Sequence, residues 1–478
     1  MLRESRLTVA APYAKPGSAA KTVTAADKLA RCVTQVINKH VSRGVHLCVG
    51  LSGGVDSVAL LDVLVAAAPR YQWQVSAIHV NHQLSPNAVA WVRFCRRFCR
   101  ERGVPLRVVK VDVPRGNSVE AAAREARYAA YRRQPAQYMV LAQHQDDQAE
   151  TILLQLLRGA GVKGLAAMPV VRADALRPGL RLLRPMLDVT RRDIERYAAH
   201  HNLKWVEDES NDDAYYLRNF VRREIMPRLE TRVPAYRVTL MRAAAQLAEA
   251  AQLLDALAKI DGEGALIADT LAVATLAQLS DARARNLLRY FIRTQGVRMP
   301  DARRLDEALR QTLTAKVDAR VCVSLGAHML RRHRGNLHVV PVQPPLDSGF
   351  SRAWREERRV VIPEWHGVLE MRRCRGAGID LAKLLAARVT LRMRRGGESL
   401  QPDAARPRRT IKYLFQALGV PPWQRDRVPF LWSGERLVWI AGVGIDCEFR
   451  ARAGAPGVTP NWIDQTKGAA TSVRKAGA

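Results

Sequence analysis

The tightest constraint in this sequence is Ser52-Gly53-Gly54-Val55-Asp56-Ser57, placed between one apolar run, Val45-His46-Leu47-Cys48-Val49, and another over residues 58–67. That order predicts a strand, a tight turn and the opening of a helix. Adjacent glycines let the backbone take positive φ. The turn can then aim several amides, together with the Ser52 and Ser57 hydroxyls, at one anion by the helix N-terminus. Phosphate is the natural guest. A Walker loop requires lysine straight after its second glycine, whereas here Asp56 sits inside the turn and no lysine follows. The chain therefore carries a phosphate loop of another kind, with Ser52, Gly53, Gly54, Val55, Asp56 and Ser57 as candidate nucleotide-binding residues.

Further apolar runs occur at 75–80, 106–111 and 138–142, each separated from the next by a helix-length segment. Continuous apolar strands suit a sheet covered on both faces, and βαβ crossovers force parallel pairing. Residues 41–225 are thus expected to form an α/β domain with a doubly wound parallel sheet, whose ligands bind beyond the carboxyl ends of the strands. The loop, His79-Val80-Asn81-His82 and Gln143-His144-Gln145-Asp146-Asp147 all fall at those ends, so they should share one cleft. Residues 226–318 read as a helical domain, because long amphipathic segments replace the strand-like runs. Residues 319–450 break into short, β-branched, Gly- and Pro-punctuated runs, which predict a small mixed α+β domain. Residues 1–40 read as a flexible extension and 451–478 as a disordered tail.

The second constellation runs from Gln143 to Thr151 and continues as Ile152-Leu153-Leu154. On a helix, Asp147, Glu150 and Thr151 lie at i, i+3 and i+4 and share a face. Two carboxylates so placed can hold Mg²⁺ or a cationic amine. N-terminal capping accounts for Asp146 or Asp147 by itself, but it does not call for His144 and Glu150 in the same cluster.

Loop and cluster together resemble the tRNA(Ile)-lysidine synthase family, within the ATP pyrophosphatase or PP-loop superfamily. Further segments agree in the same order: Ala123-Arg124-Glu125-Ala126-Arg127-Tyr128, Arg158-Gly159-Ala160-Gly161, Arg184-Pro185-Met186-Leu187, and Glu207-Asp208-Glu209-Ser210-Asn211 followed by Tyr215 and Arg218-Asn219. The match spans most of residues 45–225, and a weaker one covers 388–446. The resemblance implies an adenine nucleotide alpha hydrolase-like fold and a ligase that adenylates the wobble cytidine of isoleucine tRNA with a CAU anticodon. Free L-lysine then displaces AMP to form lysidine. ATP and Mg²⁺ are the implied cofactors, and a bacterial cytoplasmic enzyme is implied, with which a homodimer is compatible. By motif match, Asp56 is a Mg²⁺ ligand, while Arg124 or Arg127, and Arg218, steady the α-phosphate or the tRNA backbone. Asp147 and Glu150 receive the lysine ammonium and later its proton, and His144 assists the departing AMP. Gln143 departs from the family, which has a histidine there, so acid–base duty rests on His144. The helical and C-terminal domains are implied to hold the tRNA.

Composition fits that partner, since 76 basic against 45 acidic residues leave a net charge of +31, which favours a polyanion. Between Arg388 and Lys412 stand Arg388, Arg392, Arg394, Arg395, Arg406, Arg408, Arg409 and Lys412 against Glu398 and Asp403, a density that points to RNA. Trp423, Trp432 and Trp439 read as core. The seven cysteines form no Cys-x-x-Cys pair, which sets aside a tRNA-thiolating relative, and Cys95 and Cys99 read as ordinary helix positions. No ammonia-producing domain or cysteine nucleophile for an amidotransferase is visible. A catalytically silent RNA-binding protein is disfavoured by intact Asp56, His144, Asp147 and Glu150. No stretch reaches the roughly 18 uncharged residues of a membrane span.

Overall fold

The computed structural model describes residues 19–114, 119–207, 217–316, 321–343 and 349–464, with side chains described from Lys28 onward and without that of Glu120. The chain divides into two compact units, Met1–Ile260 and Asp261–Ala478.

In the first unit the expected strands form at β1 (His46–Gly50), β2 (Gln74–Asn81), β3 (Leu106–Lys110) and β4 (Tyr138–Val140), separated by α2 (Val55–Tyr71), α3 (Ala88–Glu101) and α4 (Val119–Arg132), after an N-terminal helix, α1 (Ala19–His40). Beyond them come α5 (Gln145–Leu157), α6 (Val162–Leu165), β5 (Val171–Ala173), β6 (Arg181–Leu183) and α7 (Arg191–His200). The sheet runs β3-β2-β1-β4-β6-β5, with parallel pairing throughout except β5, which closes the edge antiparallel to β6. Because the chain winds outward from β1 to β3 and then returns to the other side of β1, the order reverses between β1 and β4. That is where an open α/β sheet offers a crevice. The loop after β1 and the turn after β4 both open into it.

The structure corrects the domain limits in three places. Residues 28–40 are not an extension: Leu29, Val33 and Ile37 of α1 are fully buried in the sheet's helical layer, and Lys28 Nζ reaches Asp193 Oδ2 of α7 at 2.9 Å. Those apolar residues repeat every four positions, so one stripe of α1 must be covered. Residues 1–18 lie outside the described residues.

The stretch expected as one helical domain is divided. Helices α8 (Leu217–Phe220), α9 (Met226–Arg232) and α10 (Tyr236–Asp261), with a π-helical turn at Val221–Ile225, belong with the parallel sheet. Val221, Met226 and Tyr236 pack there on Ala149 and Leu154 of α5. In the second unit, Leu266–Ile267 and Thr270–Ala272 are strands of a five-stranded antiparallel sheet with Cys322–Ser324, His328–His333 and Asn336–Pro341. Strands of two or three residues carry no periodicity to read.

Residues 451–464 are likewise no tail. Pro456–Asp464 is a nine-residue strand paired in full register with Gly367–Arg375, with Val458 buried. Its two prolines and its glycine mimic a loop. Trp439 is core as expected, whereas Trp423 is half-buried against His333 and His338, with ring centroids at 5.8 and 5.3 Å.

Replacing Ile37 by Ala is expected to destabilise the protein by about 2–5 kcal/mol, the usual range for emptying a buried aliphatic site. Urea unfolding checks this, and a loss below about 0.5 kcal/mol, typical of surface positions, would return α1 to the status of an appendage.

Candidate active site

The phosphate loop is built by Gly53 and closed by Ser57. Gly53 sits at φ 98°, and a Cβ there would lie 2.8 Å from Val206 Cγ2, so both conformation and space demand glycine. The amides of Ser52 and Gly53 converge on the Ser57 hydroxyl, each at 3.2 Å, and that hydroxyl donates to the Gly54 carbonyl at 3.0 Å. The Gly54 amide points to Ser52 Oγ at 3.3 Å. Three successive amides thus face one side of the turn at the N-terminus of α2, the arrangement that binds an anionic oxygen. His79 anchors the preceding strand end through its Nδ1, 2.9 Å from the Leu51 carbonyl.

Across the switch point, α5 begins with His144 at its cap, and the His144 amide donates to Asp147 Oδ2 at 3.1 Å. Capping is therefore real, and it uses a residue of the cluster. The other Asp147 oxygen accepts from Arg218 Nη2 at 3.0 Å and Arg222 Nη2 at 3.3 Å. Glu150, only 1% exposed, takes Arg218 Nε at 2.9 Å and Arg222 Nε at 2.5 Å. Asp146 accepts from Arg237 Nε at 2.6 Å on one oxygen and from the Arg191 amide at 3.0 Å on the other. Unpaired carboxylates cannot be buried without a penalty of several kcal/mol each, and here guanidinium groups from three later segments compensate all of them.

Asp56 and His144 join the two halves. Asp56 Oδ2 accepts from Arg191 Nη1 at 2.7 Å; its buried Oδ1 has no hydrogen-bond partner and lies 3.7 Å from His144 Nε2. His144 Nε2 also stands 3.5 Å from Asp147 Oδ2, and Nδ1 stands 3.6 Å from Asp146 Oδ2, charge contacts rather than hydrogen bonds. Burial by itself would lower the His144 pKa, but Asp147, Asp146 and Asp56 outweigh it and hold the ring above its ordinary value. Burial raises the Asp56 pKa, opposed by His144 and Arg191. Burial also pushes Asp147 upward, yet His144 and Arg218 prevail and leave it below the usual carboxylate range.

Ser52, Gly53, Gly54, Val55, Asp56, Ser57, His144, Asp147, Glu150 and Arg218 thus lie along the two facing turns or their connections. Arg124 does not join them in hydrogen bonding: its guanidinium donates to Tyr128 Oη at 3.3 Å and lies over that ring, while Arg127 donates to His82. Residues 208–216, including the quoted Asp208-Glu209-Ser210-Asn211 and Tyr215, lie outside the described residues. Motif reading missed Arg191, Arg222 and Arg237. Only Arg222 left a signal, standing four residues after Arg218 and so matched to an acidic pair three apart. Gln143 also finds its physical reason, because its side-chain oxygen accepts from Arg184 Nε at 2.8 Å, and Arg184 is 2% exposed. An uncharged acceptor satisfies that buried guanidinium at any pH.

In the second unit the basic segment is partly spent on folding. Arg408 pairs with Asp446 at 2.8 Å, Arg392 with Glu435 at 3.0 Å and Arg406 with Asp403 at 3.5 Å. Arg388, Arg395 and Lys412 remain exposed. No group of three or more His, Cys, Asp or Glu able to hold a metal occurs among the described residues, and none of their helices is long and apolar enough to cross a membrane.

Residues 25–229 match the PP-loop domain model, 271–338 the TilS substrate binding domain and 389–462 the TilS substrate C-terminal domain. The loop and sheet therefore define a PP-loop, ATP-using domain followed by substrate-binding domains. Over 446 residues the chain is 44% identical to the tRNA(Ile)-lysidine synthase of Nitrosomonas europaea, covering 92% of this chain and 97% of that protein. It is 42% identical to the one from Ralstonia nicotianae over 438 residues, 88% of this chain and 94% of that protein. The chain belongs to the tRNA(Ile)-lysidine synthase family.

The raised His144 pKa makes a signed prediction. A group whose folded pKa exceeds its unfolded value stabilises fully below the unfolded value, about 6.5 for histidine, and loses that contribution as pH rises through the folded one. The stability margin of the native protein over a His144→Gln variant should therefore be widest near pH 6 and shrink toward pH 9. Urea midpoints across that interval test it, and a margin that widens with pH would contradict the placement of charge.

Proposed function

We propose that this enzyme ligates free L-lysine to carbon 2 of the wobble cytidine of isoleucine tRNA with a CAU anticodon, through an adenylated cytidine, releasing AMP and pyrophosphate. The observation that carries this reading is the meeting of the phosphate cradle with a histidine ringed by carboxylates, Asp56 Oδ1 lying 3.7 Å from His144 Nε2 across the switch point. The oxygen on carbon 2 of cytosine is a poor leaving group, and adenylation turns it into part of AMP. The Ser52, Gly53 and Gly54 amides and the Ser57 hydroxyl grip the outer phosphates and leave the α-phosphorus open to in-line attack.

The donor set fits Mg²⁺ at Asp56, because Oδ1 is a buried carboxylate oxygen lacking a partner and a hard cation takes such an oxygen. With no three-residue ligand set among the described residues, the chain would hold the ion through Asp56. The ion supplies charge neutralisation at the phosphates. His144, whose pKa the neighbouring carboxylates hold above its ordinary value, would stabilise or protonate departing AMP.

For the second step, lysine's ammonium needs a carboxylate, and both candidates are engaged by Arg218 and Arg222. Asp147, with 13% of its side chain exposed, can exchange a guanidinium for the ammonium more readily than Glu150, with 1%. Glu150 then acts mainly by holding the arginine pair in place. The cytoplasm, where tRNA and free lysine coexist, is the site of action that this chemistry requires.

Purified protein with ATP, Mg²⁺ and labelled lysine should label isoleucine tRNA bearing CAU and leave methionine tRNA unlabelled; labelling of neither would refute the proposal. Asp56→Asn should slow tRNA-dependent ATP–pyrophosphate exchange on the order of 10²–10³-fold. Glu150→Gln should impair lysine transfer more than that exchange, and equal losses in both half-reactions would contradict the division of labour.

A further inference from the structure

Arg191 stands outside every motif quoted above, yet it touches both halves of the site. It is the first residue of α7, a helix capped by Thr190, whose side chain accepts from the Asp193 amide. Its own amide is fixed by Asp146 Oδ2 at 3.0 Å, so its backbone is anchored to the N-terminal turn of α5. Its side chain is free to choose. At present Nη1 donates to Asp56 Oδ2 at 2.7 Å and Nε to Glu195 Oε1 at 2.8 Å, with 44% of the side chain exposed.

Asp56 lies between Gly54 and Ser57, so the guanidinium is bonded to a residue of the amide cradle's own loop. We propose that Arg191 binds the pyrophosphate leaving group, exchanging its bond to Asp56 Oδ2 for the β- and γ-phosphate oxygens once a magnesium nucleotide occupies the loop. The inference rests on the assignment of residues 52–57 to ATP's phosphates. Two physical facts support it. A carboxylate that binds a divalent cation no longer needs a guanidinium for charge balance, and a guanidinium released beside phosphate oxygens can grip two of them at once. During adenylation the cytidine oxygen bonds to the α-phosphorus while the bond from that phosphorus to the bridging oxygen breaks, its electron pair leaving with pyrophosphate. A cation on that group opposes the charge it gains. In the free enzyme the same side chain keeps half-buried Asp56 paired.

The test is calorimetric titration of the full-length protein with inorganic pyrophosphate in the presence of Mg²⁺, beside steady-state kinetics. Arg191→Met should weaken pyrophosphate binding about tenfold or more and raise the KM for ATP in parallel, leaving the KM for lysine unchanged. Arg191→Lys should restore part of the affinity, and Glu195→Gln should retain all of it. Native pyrophosphate affinity in Arg191→Met overturns the inference, as does an equal rise in every KM. If Arg191→Met does not fold, Arg191→Lys decides, because loss of the planar fork must still weaken pyrophosphate severalfold and unchanged affinity refutes the role. Ser57→Ala separates the two levels. If it loses pyrophosphate while Arg191→Met does not, only the role of Arg191 fails; if neither loses it, the assignment of the loop fails as well.

Discussion

Compensation of the acidic turn at the head of α5 is the constraint on which the rest of the site depends. Asp146, Asp147 and Glu150 fall within five consecutive positions, and each is largely or fully out of water. Like charges so close repel one another, and burial raises their energy further. The chain answers with the guanidinium groups of Arg218, Arg222 and Arg237, brought from α8, the π-helical turn and α10, and with the Arg191 amide at the head of α7. The helices after residue 217 are therefore structural partners of the catalytic turn, which is why they belong with the parallel sheet rather than with the substrate-binding region that follows.

That charge balance also reaches His144. Three carboxylates within 3.7 Å hold the ring's pKa above its ordinary value despite nearly complete burial. The arginines share those carboxylates and so limit how strongly any one of them binds the ring. The phosphate cradle faces this balanced cluster through Asp56, the one residue that belongs to the loop and touches the cluster.

Legibility in the sequence followed the range of each interaction. The glycine loop was readable because positive φ and helix-end amides depend on neighbours, and the four main strands were readable because burial on both faces leaves continuous apolar runs. The shared face of Asp147 and Glu150 was a matter of helical spacing. By contrast, the Arg191 and Arg237 guanidinium groups find their acids 135 and 91 residues away, and in a chain this rich in arginine no local pattern marks them, while Arg222, 72 residues from Glu150, is signalled only by its spacing from Arg218. Helix α1 was obscured by its Ala- and Lys-rich start, though Leu29, Val33 and Ile37 spelled out its buried stripe. The second unit's short strands, and Pro456–Asp464 with its prolines, are held by cross-strand pairing that local composition does not announce. The basic run from Arg388 to Lys412 mixed two purposes, intramolecular ion pairs and exposed charge, that composition cannot separate.

The central claim is that this cradle presents the α-phosphorus of ATP, and not the terminal one, to an oxygen of tRNA. Phosphorus NMR of a reaction containing ATP, Mg²⁺, lysine and isoleucine tRNA bearing CAU reads the bond that breaks. AMP and pyrophosphate should appear in equal amounts, matched mole for mole by lysine incorporated. ADP and orthophosphate as products would contradict the account.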